Sequence, residues 1–197
     1  MKRWNEFAAD RPEMAEAGHA LIYQFRVGLG YLATIRRDGG PRVHPVCPVI
    51  ANGGLYVFIG NHSPKLRDLQ RDGRFALHSF PNPEVDDEFY VSGCVRRVDD
   101  PQIRRTVHEA YTATGAFTAD DTLFELWLER ALHAKYGPRP SWPPVYTKWL
   151  AGDAGGSSRA CHPRRRSRPP GNQASFMRGP VGGGGSTPAL HGAPSGR

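Results

Sequence analysis

The sequence predicts a mainly β fold with a few helices, built on an antiparallel, barrel-like sheet. Three observations carry that expectation. Five to seven short runs suited to strands recur along residues 28–149. Glycine turns, Asp38-Gly39-Gly40 and Asn52-Gly53-Gly54, join the first of these runs as hairpins. Helical spacing, in contrast, is confined to a few short segments.

Taken in chain order, Pro12–Phe25 is expected to be the first helix. Pro12 suits its start, and Met14, Ala17, Leu21 and Phe25 recur at helical spacing, although Gly18 weakens it. Gly28–Arg37 reads as the first strand, Arg42–Ile50 as the second and Leu55–Ile59 as the third. Pro64–Arg71 is a short helix, opened by Ser63 as N-cap and Pro64 at the first helical position. Strands follow at Phe75–Phe80 and Glu88–Val98. Asp99-Asp100-Pro101 then starts a helix whose apolar stripe is Ile103, Val107, Ala110 and Tyr111, with Gly115 as its stop. Leu123–Tyr136 reads as one or two strands with Phe124, Leu126 and Leu128 on one face, and Tyr146–Trp149 as a last short strand.

The chain has 197 residues, enough for one domain with a real core, and the sequence divides at about residue 150. Residues 1–150 hold 19 Lys+Arg against 18 Asp+Glu, whereas residues 151–197 hold 7 Lys+Arg and a single Asp. The overall +7 therefore resides in the tail, and an argument for nucleic-acid binding from the net charge fails for the folded part. Residues 151–197 also contain 11 Gly and 6 Pro, so they are expected to be a disordered basic tail. Nucleic acid or an acidic partner is expected only through that tail, at Arg159–Arg168. No apolar run of membrane-spanning length occurs, the N-terminus lacks an apolar signal core, and Cys47, Cys94 and Cys161 share no C-x-x-C spacing. Together these predict a cytoplasmic protein with free thiols and no membrane contact.

The candidate site lies in residues 41–80. Arg42, His44 and Val46 alternate onto one face of the second strand, and Val43, Pro45 and Cys47 onto the other. The start of the Pro64 helix leaves unpaired N–H groups at the positive end of its dipole, where Lys65 is normally disfavoured. A lysine set against the dipole points to a negative ligand, most simply a phosphate, that Arg42 could also grip. His78 reads as a core or rim histidine, and Asp86, Asp87 and Glu88 as a solvated loop rather than a metal site. Patterns such as G-x-S-x-G, the P-loop and H-E-x-x-H are absent from the sequence.

The runs DGGPRVHPV, GGLYVFI, SPKLRDLQRDGRFALHSF and EFYVSGCVRRVDDP resemble the pyridoxamine 5'-phosphate oxidase-like, FMN-binding split β-barrel family, over roughly residues 4–149. The resemblance implies a homodimer with FMN at the subunit interface and a small-molecule substrate. It implies that Arg42, Ser63, Pro64 and Lys65 hold the flavin phosphate, that Val43, His44, Pro45 and Ile59 line the ring, and that Trp149 reaches the partner's site. It names no catalytic side chain and no metal ligand. Pyridoxamine phosphate oxidases end in a Trp-then-Arg-Leu segment, whereas this chain has Pro143-Pro144-Val145-Tyr146-Thr147-Lys148-Trp149-Leu150. The implied function is accordingly an FMN-dependent oxidoreductase of broader type than vitamin B6 oxidation. The alternative is a non-catalytic flavin or deazaflavin carrier.

Overall fold

The computed structural model describes residues 1–152 except 83, 85, 112–114, 116 and 138–142, so the expected tail beyond Gly152 lies outside the described residues. The elements are α1 (Trp4–Asp10), α2 (Pro12–Ile22), β1 (Gly30–Ile35), β2 (Pro41–Val46), β3 (Val49–Ala51), β4 (Gly54–Ile59), α3 (Pro64–Arg71), β5 (Arg74–Ser79), β6 (Glu88–Arg97), α4 (Pro101–Glu109), β7 (Thr122–Lys135) and β8 (Val145–Leu150). The fold is mostly β, as expected. Two details differ from the sequence reading. The expected second strand is two strands, because Pro48 cannot donate to a ladder and interrupts it after Val46. An additional helix, α1, precedes the expected first one. The run expected as one or two strands is one, β7.

All named pairings are antiparallel, in the order β2-β1-β5-β6-β7-β4-β3, with β8 also on β7. The fourteen residues of β7 serve two neighbours on one edge: Thr122–Glu125 pairs with β4 and Arg130–Lys135 with β8. Strands β2 and β3 stand at opposite ends of this order, yet only Cys47 and Pro48 separate them in the chain. Three trans peptide units span at most about 11 Å. The two ends of the sheet must therefore come round to meet, and the sheet curls into a half-barrel.

The larger core fills the inside of that curl. Leu32, Leu77, Val91, Phe89, Leu126 and Leu128 from the sheet pack with Trp4 and Phe7 of α1, Met14 and Ile22 of α2, and Leu66 and Leu69 of α3. The expected weakness at Gly18 has a packing reason, since a Cβ there would stand 2.5 Å from the Phe89 ring. Strand β4 is buried on both faces. Leu55, Val57 and Ile59 join the larger core, while Tyr56 and Phe58 join Val49, Val98, Val107 and Leu123 in a second cluster that includes α4. The N-terminus is fastened to β7 by paired backbone bonds between Lys2 and Leu128, both 2.8 Å, and by Arg3 Nε donating to Glu125 Oε1 at 2.6 Å.

Cys47 is a free thiol, but Cys94 is disulfide-bonded, so the expectation of three free thiols does not hold. Among the described residues no helix is long and apolar enough to cross a membrane.

The ladder between β6 and β7 shifts register between Ser92 and Gly93. A Cβ on Gly93 would lie 1.9 Å from the Trp127 carbonyl oxygen and 2.9 Å from the Glu129 nitrogen, so backbone rather than a side-chain tip would have to move. Gly93→Ala is expected to destabilise the fold by about 3 kcal/mol or more, the upper range for overpacking. Urea unfolding checks this; an unchanged midpoint would mean that the bulge is not as tight as described.

Candidate functional site

The hairpin register sorts the residues of β2 by face. His44 lies opposite Leu32 and Arg42 opposite Thr34, all on the inner side, while Val43 lies opposite Ala33 and Pro45 opposite Tyr31 on the outer side. Helix α3 packs on β1 beneath this edge. Leu66 and Leu69 anchor it in the core, and spacing of three residues sets Lys65, Asp68 and Arg71 in one stripe beside them. Ser63 caps the helix as expected, its hydroxyl accepting from the Lys65 backbone N–H at 3.3 Å, with Pro64 at the first position.

Asp68 organises the group, and the sequence reading did not single it out. Its side chain is only 5% exposed. Oδ2 accepts from Arg42 Nε at 2.7 Å and from the Thr34 hydroxyl at 3.1 Å, and Oδ1 accepts from both Arg71 terminal nitrogens at 3.3 Å. Arg71 also donates to the Ile35 carbonyl. Burial pushes the Asp68 carboxyl up, but the hydrogen bonds from Arg42, Thr34 and Arg71 outweigh it and hold the group below its usual range.

The neighbouring Lys65 has no such compensation. Burial and then the Arg42 charge push the Lys65 ammonium below its usual range. The Lys65 ammonium makes no hydrogen bond or ion pair among the described residues. His44 is held down by burial, then by Lys65 and Arg42, with Asp68 acting in the opposite sense. The charges of Arg42 and Lys65, from β2 and α3, thus act on each other and help keep His44 neutral, and Asp68 is the carboxylate among them. Such a cluster favours an anion with several acceptor oxygens.

The other candidate residues stand apart. Val43 is exposed on the outer face, beside Pro45. Ile59 is fully buried at the end of β4. Trp149 is 6% exposed, its ring 4.9 Å from that of Phe7 and its indole N–H donating to Asp10 Oδ2 at 3.2 Å. A row of paired residues runs His44, Leu32, Leu77, Val91, Ala131, Trp149. His44 and Trp149 are its two ends, five strand spacings of about 4.8 Å apart along the sheet. Within one chain Trp149 is therefore a core residue at the other end of this row from β2.

His78, read as a core or rim histidine, is half-buried, with Nδ1 2.7 Å from the Ser79 carbonyl and Nε2 3.9 Å from Glu88. It lines a cavity of about 280 Å³ with Asp86, Asp87, Glu88 and Tyr136, which includes neither Arg42 nor Lys65. Among the described residues no group of three or more His, Cys, Asp or Glu is placed to hold a metal.

The family model described as pyridoxamine 5'-phosphate oxidase matches residues 20–135. No curated protein matches the chain. Among solved structures, a heme binding protein from Mycobacterium smegmatis superposes with a TM-score of 0.54 at 18% identity, over 71% of this chain and 59% of that one. A NimC/NimA family protein from Clostridium acetobutylicum gives 0.53 at 18% identity, over 66% and 90%. HupZ from Group A Streptococcus gives 0.51 at 14% identity, over 62% and 94%. At these identities the likeness is one of fold.

Thr34→Val keeps the shape of the site but removes one donor to Asp68. It is expected to cost about 1.5–3 kcal/mol near neutral pH, the usual worth of a hydrogen bond to a charged group. The folded Asp68 value lies below the ordinary 3.8, so its stabilisation is complete above pH 3.8 and is lost as pH falls toward the folded value. The gap between wild type and variant should therefore narrow below pH 3.8. Urea unfolding across pH 3–7 reads it, and a gap independent of pH would contradict the assignment.

Proposed function

The chain belongs to the pyridoxamine 5'-phosphate oxidase family, and from that premise we propose that it is an FMN-dependent oxidoreductase holding the flavin phosphate at Arg42, Ser63 and Lys65. The observation that carries this reading is the half-buried Lys65 at the start of α3, whose ammonium has no carboxylate partner among the described residues and lies near the Arg42 guanidinium. The residues suit a phosphate. Arg42 is engaged through Nε, so its two terminal nitrogens keep a fork for two oxygens. Lys65 adds a point charge near the positive end of the α3 dipole. When bound, FMN would supply hydride transfer to or from a small substrate. The side chains then have to anchor, orient and shield, and no acid or base among them is assigned to the chemistry.

We read the assembly as a homodimer. The outer sheet face carries exposed Val43 and Tyr31, with Tyr31 stacked on Phe80 at 4.2 Å, and Leu150 is exposed on β8. A second copy would cover such a face and complete the ring side of the site, the role proposed for Val43 and Pro45. Residues 1–150 form the binding domain in this reading. The 151–197 tail takes no part in flavin binding.

The purified protein should be yellow and release FMN on denaturation. Arg42→Ala and Lys65→Ala should each weaken FMN binding about 10- to 100-fold, the loss of one charge-assisted hydrogen bond. Titration by flavin fluorescence measures it, and two variants with wild-type affinity would remove the site. The mycobacterial neighbour is described as a heme binding protein, so a Soret band on adding haem, without flavin uptake, would reverse the cofactor assignment. FMN binding without oxidation of a reduced nicotinamide would favour a carrier over an enzyme.

A further inference from the structure

We propose that Asp68 is a positioning residue for the anion site: it orients Arg42 toward the ligand while itself touching no ligand atom. This inference rests on the phosphate-binding reading of Arg42 and Lys65.

The geometry separates orienting from neutralising. A carboxylate that merely cancelled charge could meet Arg42 anywhere, including across the two terminal nitrogens. Asp68 instead takes Nε, at 2.7 Å, and leaves the terminal nitrogens with no partner among the described residues. The carboxylate cannot swing, because Thr34 shares its Oδ2 and Arg71 occupies its Oδ1. Arg71 is tied in turn to the Ile35 carbonyl, the last residue of β1. The chain of contacts thus runs from the β1 backbone through Arg71 and Asp68 to the Arg42 guanidinium, and every link but Arg42 is held at two points. Arg42 is 29% exposed at its side chain against 5% for Asp68, so the guanidinium looks outward and the carboxylate lies beneath it. A ligand meeting Arg42 from the open side does not reach Asp68.

Electrostatics alone predicts the opposite consequence. Removing a negative charge from beside an anion site raises the local positive potential and should tighten binding. Orientation predicts weaker binding, because an untethered Arg42 must be ordered when the ligand arrives. The sign of the effect therefore discriminates.

FMN and riboflavin are the probes, since they differ by the phosphate. Asp68→Asn should bind FMN about tenfold more weakly, the scale of one oriented hydrogen bond, while riboflavin affinity stays within about twofold. In an Arg42→Ala background, adding Asp68→Asn should cause no further loss of FMN affinity, because the effect passes through Arg42. Asp68→Glu keeps the charge but displaces it by one methylene, and it too should lose FMN affinity; it serves where the Asn variant does not fold. Tighter FMN binding by Asp68→Asn, equal losses for both flavins, or additive losses in the double variant would overturn the proposal. If Arg42→Ala weakens FMN binding and neither Asp68 variant does, this inference alone fails. If Arg42→Ala leaves FMN binding intact, the phosphate-site reading fails and takes this inference with it.

Discussion

The ion pair between Asp68 and Arg42 ties the first short helix after the hairpins to the edge strand of the sheet, and the candidate site depends on it. One partner sits on the second turn of α3 and the other on β2, 26 residues apart in sequence. Burial of the carboxylate costs free energy that only its four donors offset. Arg42 being partly exposed, the pair is screened on its outer side, so its worth to stability is modest compared with its worth as a hinge pin. What it secures is placement: Arg42 beside α3, where Lys65 and the positive end of the helix dipole already favour an anion.

That placement in turn requires the curled sheet. Cys47 and Pro48 are all that joins the two ends of the strand order, so β2 cannot lie flat away from β3 and β4. The turn after β4 then feeds α3 back under β1, with the Ser63 N–H bonded to the Gly60 carbonyl at 2.9 Å. Leu66 and Leu69 commit one side of α3 to the core, which leaves the Lys65–Asp68–Arg71 stripe facing the edge strand. The same apolar commitment buries Ile59 and Trp149, and this is why neither opens onto the cationic cluster of its own chain.

The bounds of α3 were readable from sequence because its cap, its proline and its spacing agree. The alternation of Arg42 and His44 against Val43 and Pro45 was readable too, since a strand has only two faces. The break at Pro48 went unread because the apolar run continues through it. Helix α1 was overlooked for want of a conventional cap: Arg3 holds that position, and Glu6 bonds its backbone N–H at 2.7 Å. Trp4 and Phe7, three apart and both buried, were its available signal. Asp68 is one of two acids in KLRDLQRD, and nothing in that run alone sets it apart. Its clue was the stripe of alternating charge at three-residue spacing, which has meaning only once a cationic strand is known to lie against it. The expectation of free thiols failed at Cys94 because the spacing of cysteines in the chain says nothing about their distance in the fold.

The central claim is that β2 and α3 hold uncompensated positive charge in readiness for an anion. NMR titration of the Lys65 ammonium, in the presence and absence of inorganic phosphate, tests it most directly. The account predicts a value below the ordinary 10.5 in the free protein, rising when phosphate binds. An ordinary value that phosphate does not move would contradict it.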